Sequence, residues 1–213
     1  MTINILRKKV KGEEFDYQIL LDCLKGVKCP RDKITNMLKR GMIIRIKKGI
    51  YVFGKDYARS PFSREVLANM IYGPSYISLE YALHYYGFIP ERVEALTSST
   101  CGRGRKFSTP AGLFIYCSIP RKAYSKGIDR VEISGGSSFL IAVPEKALAD
   151  KVFLDRGTGI KTQREMERYL SENLRIDFSQ LERLNHNLIC ELASCYGSRK
   201  IRLLSELIHK SAK

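Results

Sequence analysis

The chain is expected to fold as an α+β protein: a helix-and-hairpin unit at the N-terminus, then a mixed domain with a mostly antiparallel sheet and a helical C-terminus. Three observations point there. Residues 30–53 carry an apolar stripe at helical spacing, followed at once by two short runs of strand type. Residues 94–143 break into five strand-length runs separated by turns rich in Pro and Gly. From Thr162 onward the apolar positions return to helical spacing. The expected division is residues 1–57 and 58–213.

Taken in order, Glu13 to Leu24 reads as a helix, with Phe15, Ile19, Leu20 and Leu24 at helical spacing and a break at Lys25-Gly26. Pro30 suits the first position of the next helix and Gly41 its stop. Ile34, Met37 and Leu38 form its apolar stripe. The opposite face presents Arg31, Lys33, Thr35, Asn36, Lys39 and Arg40. The period then changes to two: Ile44 and Ile46 alternate with Arg45 and Lys47. Lys48-Gly49 turns the chain, and Ile50 to Phe53 returns as a second strand.

Residues 54–61 read as a linker. Ser60-Pro61 is expected to open a helix carrying Phe62, Val66, Leu67, Met70 and Ile71, ended by Gly73-Pro74. Ser78 caps the next helix, Glu80 lies in its first turn, Leu79, Ala82, Leu83 and Tyr86 form its buried face, and Gly87 closes it. Strands are expected at Glu94–Ser98, Lys106–Thr109, Leu113–Ser118, Arg130–Ile133 and Phe139–Val143, with turns at Pro110–Gly112 and Ser134-Gly135-Gly136. Pro144-Glu145 opens a helix through Leu154. Thr162-x-x-Glu165 is a capping box ahead of Met166, Tyr169 and Leu170. Two apolar stripes follow, Leu181/Leu184/Leu188/Leu192 and Ile201/Leu204/Ile208.

Charge narrows the function. The chain holds 37 Lys+Arg against 22 Asp+Glu, a net +15. An apolar fraction of 44% excludes a disordered chain. The apolar runs are of strand length and Arg7, Lys8, Lys9 and Lys11 interrupt the first of them, so neither a membrane span nor a signal peptide is expected. A soluble, cytoplasmic protein with a polyanionic partner remains, nucleic acid before membrane or acidic protein. The excess is uneven: residues 1–57 hold 14 Lys+Arg and 6 acids, about half of it.

Catalytic, metal and cofactor chemistry is not expected. Cys23, Cys29, Cys101, Cys117, Cys190 and Cys195 make no C-x-x-C pair, and His84, His186 and His209 stand at no finger-like spacing from them. Gly102-Arg-Gly104-Arg-Lys106 lacks the third glycine and the Lys-Ser/Thr of a phosphate loop. It reads as a basic hairpin loop whose Arg103, Arg105 and Lys106 offer a second DNA contact. A Mg²⁺-dependent nuclease built from Asp129, Glu132, Glu145 and Lys146 is the enzymatic alternative. Dipole complementarity for Glu145 and surface charge for Asp150 explain that helix more simply.

A polar-faced helix followed directly by a basic hairpin is the layout of a winged helix-turn-helix. In that layout the helix enters the major groove of double-stranded DNA and Arg45, Lys47 and Lys48 on the wing reach phosphates. Thr35 and Asn36 would read base edges, and the basic residues would read guanine or hold phosphates.

The chain also resembles a known family, the abortive-infection type IV antitoxins or AbiEi-like transcriptional regulators of bacteria. The resemblance lies in Leu38-x-x-Gly41-x-Ile43-x-Arg45-Ile46-x-x-Gly49-Ile50-Tyr51, in Ala68-Asn69 and in Gly73-Pro74-Ser75-Tyr76-Ile77-Ser78-Leu79-Glu80-x-Ala82-Leu83. It continues in Tyr86-Gly87-Phe88-Ile89-Pro90-Glu91, in Thr97 to Thr100 and in Ile141-Ala142-x-Pro144-Glu145-Lys146-Ala147-Leu148-x-Asp150. It implies a DNA-binding N-terminus, a C-terminal antitoxin domain and autorepression of an operon shared with a nucleotidyltransferase-like toxin, which the antitoxin need not bind stably. Members also occur as lone regulators. Against the family pattern, the short helix ahead of the recognition helix is expected to be compressed into Val27-Lys28-Cys29.

Overall fold

A computed structural model describes residues 2–133, 135–157 and 159–211. Helix α1 (Thr2–Lys9), in a stretch where the sequence suggests no element, tucks Ile3, Leu6 and the following Val10 into a small apolar cluster. The helix expected over Glu13–Leu24 is a strand and a helix, β1 (Glu14–Asp16) and α2 (Tyr17–Cys23). Phe15, fully buried, pairs in register with Tyr51 instead of opening a helix. The helix starts only where the Asp16 carboxylate accepts the Ile19 N–H at 2.9 Å. Leu24 to Gly26 turn, and Val27 to Cys29 form no helix, so α2 is the helix ahead of the next one. That next helix is α3 (Pro30–Lys39), with Pro30 in its first turn and Ile34 and Met37 buried.

Strands β2 (Ile43–Lys47) and β3 (Ile50–Phe53) form the hairpin, and the small sheet runs β1-β3-β2. Gly49 turns it at φ +89°, a conformation that needs no Cβ. The alternation expected in β2 is not the burial observed. Ile43 and Ile46 are buried while Ile44 is 39% exposed, and all four residues of β3 are buried. Simple alternation presumes one wet face, and this sheet has elements against both. Ile43, Tyr51 and Phe53 face the N-terminal helices, whereas Ile46, Ile50 and Val52 join the large core of the rest of the chain.

Helix α4 (Arg64–Ile71) begins three residues later than Ser60-Pro61 implies, because Ser63 is the cap and its Oγ accepts the Val66 N–H at 3.2 Å. The Ser63 N–H in turn donates to Glu14, whose carboxyl is pushed up by burial. Ser63→Ala is expected to cost about 1 kcal/mol in a urea unfolding titration, and Ser63→Gly only a few tenths.

The second sheet is built from β4 (Ser75–Ile77), β5 (Leu96–Thr100), β6 (Arg105–Thr109), β7 (Gly112–Ser118), β8 (Ile128–Glu132) and β9 (Ser138–Ala142). Helices α5 (Leu79–Tyr85) and α6 (Arg121–Tyr124) interrupt the strands. The order is β6-β7-β5-β4-β9-β8. Its antiparallel pairs, β6/β7, β4/β5 and β8/β9, alternate with the parallel pairs β5/β7 and β4/β9, so the sheet is mixed. Strand β4 is central yet only three residues long, too short for a sequence pattern to declare it. The turn expected at Ser134-Gly135-Gly136 has Ser134 outside the described residues; Gly135 and Gly136 both take positive φ.

Helix α7 (Pro144–Leu154) packs on α5, α10 and α11. Then follow α8 (Gln163–Arg168), behind the Thr162/Glu165 capping box, a π-helical turn (Tyr169–Asn173), α9 (Phe178–Leu181), α10 (His186–Tyr196) and α11 (Arg199–Ser211). The single stripe over Leu181–Leu192 is thus two helices, divided where the Asn185 carboxamide accepts the Leu188 N–H at 3.2 Å. The N-terminal unit is tied to the rest by more than apolar contact. Glu13 accepts the Arg59 N–H at 3.2 Å, and the Lys47 ammonium donates to the Ile71 carbonyl at 2.5 Å. Among the described residues no helix is long and apolar enough to cross a membrane.

Candidate nucleic-acid interface

Helix α3 stands on Ile34 and Met37, with Leu38 half-buried. At 3.6 residues per turn this puts Asp32, Asn36 and Lys39 at the centre of the solvent face, with Thr35 beside them. Arg31 lies on one flank, and Lys33 and Arg40 on the other. All seven are exposed. The Thr35 hydroxyl donates to the Arg31 carbonyl at 3.0 Å, which leaves its oxygen free to accept and its methyl free to touch a base. This outer face offers short polar side chains, one carboxylate and long cations, groups able to meet base edges and phosphates.

The hairpin next to it divides its basic residues. Arg45 and Lys48 are exposed. Lys47 is turned inward: besides the Ile71 carbonyl it sits 4.2 Å from the centre of the Phe107 ring. Burial lowers its pKa, and the nearby Arg105 guanidinium lowers it further. Lys47 therefore links β2 to β6 in this structure.

Strand β6 and the loop before it carry the second basic group. Arg103, Arg105 and Lys106 are all exposed, and the Arg105 guanidinium lies 5.7 Å from the centre of the Tyr72 ring. Lys47 of the hairpin touches Phe107 of β6, so the two basic segments are neighbours.

No family model matches this chain. A search of curated proteins finds no match either.

The acidic residues of the nuclease alternative do not converge. Asp129 and Glu132 are exposed on β8. Glu145 is buried and accepts the Asn185 N–H at 2.6 Å. Lys146 lies in the core. Among the described residues no three His, Cys, Asp or Glu side chains are grouped as metal ligands. His186, which the sequence leaves without a partner, has Cys190 one helical turn away, with Nε2 and Sγ 3.3 Å apart.

The principal residue that sequence reasoning misplaces is Asp150. It is wholly buried, not on the surface. Its Oδ2 accepts the hydroxyls of Tyr76 at 2.9 Å, Ser78 at 2.6 Å and Ser99 at 2.8 Å. Its Oδ1 takes the Tyr196 hydroxyl and the Lys146 ammonium, the latter at 2.9 Å. Lys146 also donates to the Ala123 carbonyl at 2.8 Å and to the Tyr196 hydroxyl at 2.6 Å. Both carboxylate oxygens and all three ammonium protons are thus used. Burial pulls the Lys146 pKa down and the Asp150 charge opposes it. The Tyr76 and Tyr196 hydroxyls are pushed far up, by burial first and then by the same carboxylate. With no exposed atom on Lys146 or Asp150 to meet a substrate, the cluster fastens α7 and α10 to β4 and β5. It also explains why Ser78, though in the cap position of α5, makes no capping bond: its hydroxyl serves Asp150.

Proposed function

We propose that the chain is a sequence-specific DNA-binding transcriptional regulator whose first 57 residues form a winged helix-turn-helix. The observation that carries this reading is the outer face of α3, where Thr35, Asn36 and Lys39 are flanked by Arg31, Lys33 and Arg40, all exposed. The element order supports it: helix, strand, helix, helix, then two strands, with α2 and α3 as the helix pair and β2–β3 as the wing. Arg45 and Lys48 are the wing residues free to reach phosphates, and Arg103, Arg105 and Lys106 extend the basic surface into the second unit.

The finer assignment rests on the AbiEi-like resemblance. It makes the protein the autorepressing antitoxin of a type IV toxin–antitoxin system acting in phage defence, paired in the bacterial cytoplasm with a nucleotidyltransferase-like toxin. Residues 58–213 would then carry the antitoxin activity.

The test is fluorescence anisotropy with a duplex taken from upstream of the protein's own reading frame, titrated at several salt concentrations. About six neutralised phosphates give a slope of log K against log salt of roughly −5. Equal affinity for unrelated duplexes of the same length would overturn the specific reading. Neutralising Arg103, Arg105 and Lys106 together is expected to make the slope shallower by about 2 to 3. An unchanged slope would confine DNA to the N-terminal unit.

A further inference from the structure

Strand β8 is an outer strand of the six-stranded sheet, and its free edge has a defined chemistry. The Val143 N–H donates to the Gly127 carbonyl and the Ile133 N–H to the Ser137 carbonyl, both at 2.9 Å. Antiparallel pairing alternates, so residues 127, 129, 131 and 133 spend their backbone groups on β9. Ile128, Arg130 and Glu132 point theirs outward. The outward Arg130 N–H is met only by the neighbouring Asp129 carboxylate, at 2.7 Å. An edge of this kind is a template for another strand.

Two exposed apolar side chains flank that edge, one on each face of the sheet. Val131 pairs with Phe139, and the Tyr85 ring, 46% exposed, stands edge-on to Phe139 at 6.1 Å. On the opposite face Arg130 pairs with Leu140, which is 39% exposed. These are two of the six large apolar side chains exposed among the described residues.

We propose that β8 is a self-association surface and that its occupant is β8 of a second copy of this chain. The charges select the register. Antiparallel pairing about a two-fold axis must match outward residues with outward residues. An axis at Arg130 sets two guanidinium groups opposite each other, which is repulsive. An axis at Val131 sets Arg130 opposite Glu132 of the second copy, and Glu132 opposite its Arg130. Both pairs exchange N–H···O=C bonds, and the two Val131 side chains meet as a close, non-hydrogen-bonded pair beside Tyr85. On forming, the Arg130 N–H leaves the Asp129 carboxylate for a carbonyl of the second copy. The inference rests on the sheet alone and stands or falls independently of DNA binding.

Sedimentation velocity of the full chain across a concentration series tests it, with circular dichroism as a check that each variant folds. The wild type is expected to show a concentration-dependent dimer. Glu132→Arg, which places like charges together, is expected to raise the dimer dissociation constant tenfold or more. The exchange Arg130→Glu/Glu132→Arg restores opposite charges and is expected to return it to within about threefold of wild type. Loss of a fold would not be rescued in this way. A wild type that stays monomeric at every concentration overturns the proposal. So does a dimer that is indifferent to Glu132→Arg, or an edge that takes a strand of a different protein and not of this one.

Discussion

Asp150→Ala is expected to lower the unfolding free energy by about 3–5 kcal/mol in a urea titration. The size follows from what is left behind. Lys146 has zero exposure, and its other partners are the Ala123 carbonyl and the Tyr196 hydroxyl, neither of them charged. Removing the carboxylate strands a buried ammonium and leaves the hydroxyls of Tyr76, Ser78, Ser99 and Tyr196 without their acceptor. Against a total stability of about 5–15 kcal/mol, one such substitution brings the chain close to unfolding. Replacing both charges, as Lys146→Met/Asp150→Leu, removes the stranded ion and is expected to recover part of the loss, short of wild type because the four hydroxyls still lack their acceptor. A fall of less than about 1 kcal/mol in Asp150→Ala would show that the pair is dispensable.

The same cluster predicts a pH dependence with a definite sign. In Asp150→Asn the opposing charge is gone, so burial drives the Lys146 pKa further below its ordinary 10.5. Between the folded and unfolded values, the unfolded chain binds more protons than the folded one. Stability therefore rises with pH through that window and levels off above about 10.5, where both states are neutral at this site. The full penalty is present below the folded value. A variant whose urea midpoint is flat from pH 7 to 10, relative to wild type, would contradict this account.

How far the sequence carries differs from element to element for physical reasons. Helix α3 was legible because one face is wet, so its stripe and its polar side separate cleanly, and Pro30 marks its start. The Thr162/Glu165 box was legible because capping is local chemistry. The bounds of helix α7 are legible in the sequence, but the burial of its polar residues is not. Lys146 and Asp150 stand four apart, the spacing of a surface ion pair, yet Ala147, Leu148, Ala149 and Val152 make the helix apolar around most of its circumference. A helix of that kind is buried, and charges on it must find each other inside. Strands β1 and β4, three residues each, owe their existence to partners far along the chain, β3 for the first and β5 and β9 for the second. The inward turn of Lys47 likewise depends on Phe107, sixty residues away.

Substitutions on α3 are expected to separate into two classes when binding to the upstream duplex is measured. Arg31→Ala, Lys33→Ala and Arg40→Ala, on the flanks, should weaken every duplex alike and make the salt slope shallower by about 0.9 for each phosphate lost. Combining Lys39→Ala with Arg40→Ala should reduce affinity at physiological salt by at least tenfold; unchanged affinity would remove α3 from the interface. Thr35→Ala and Asn36→Ala, the short polar side chains of the outer face, should leave the slope alone and cost about 1–3 kcal/mol at one base position only. Lys47→Ala gives the internal comparison. Its ammonium is held by the Ile71 carbonyl and the Phe107 ring, so its loss should lower stability without changing the salt slope, although it lies on the same hairpin as Arg45 and Lys48. If Lys47→Ala shifts the slope as Lys48→Ala does, DNA must draw Lys47 away from β6, and the β2–β3 hairpin must move on binding.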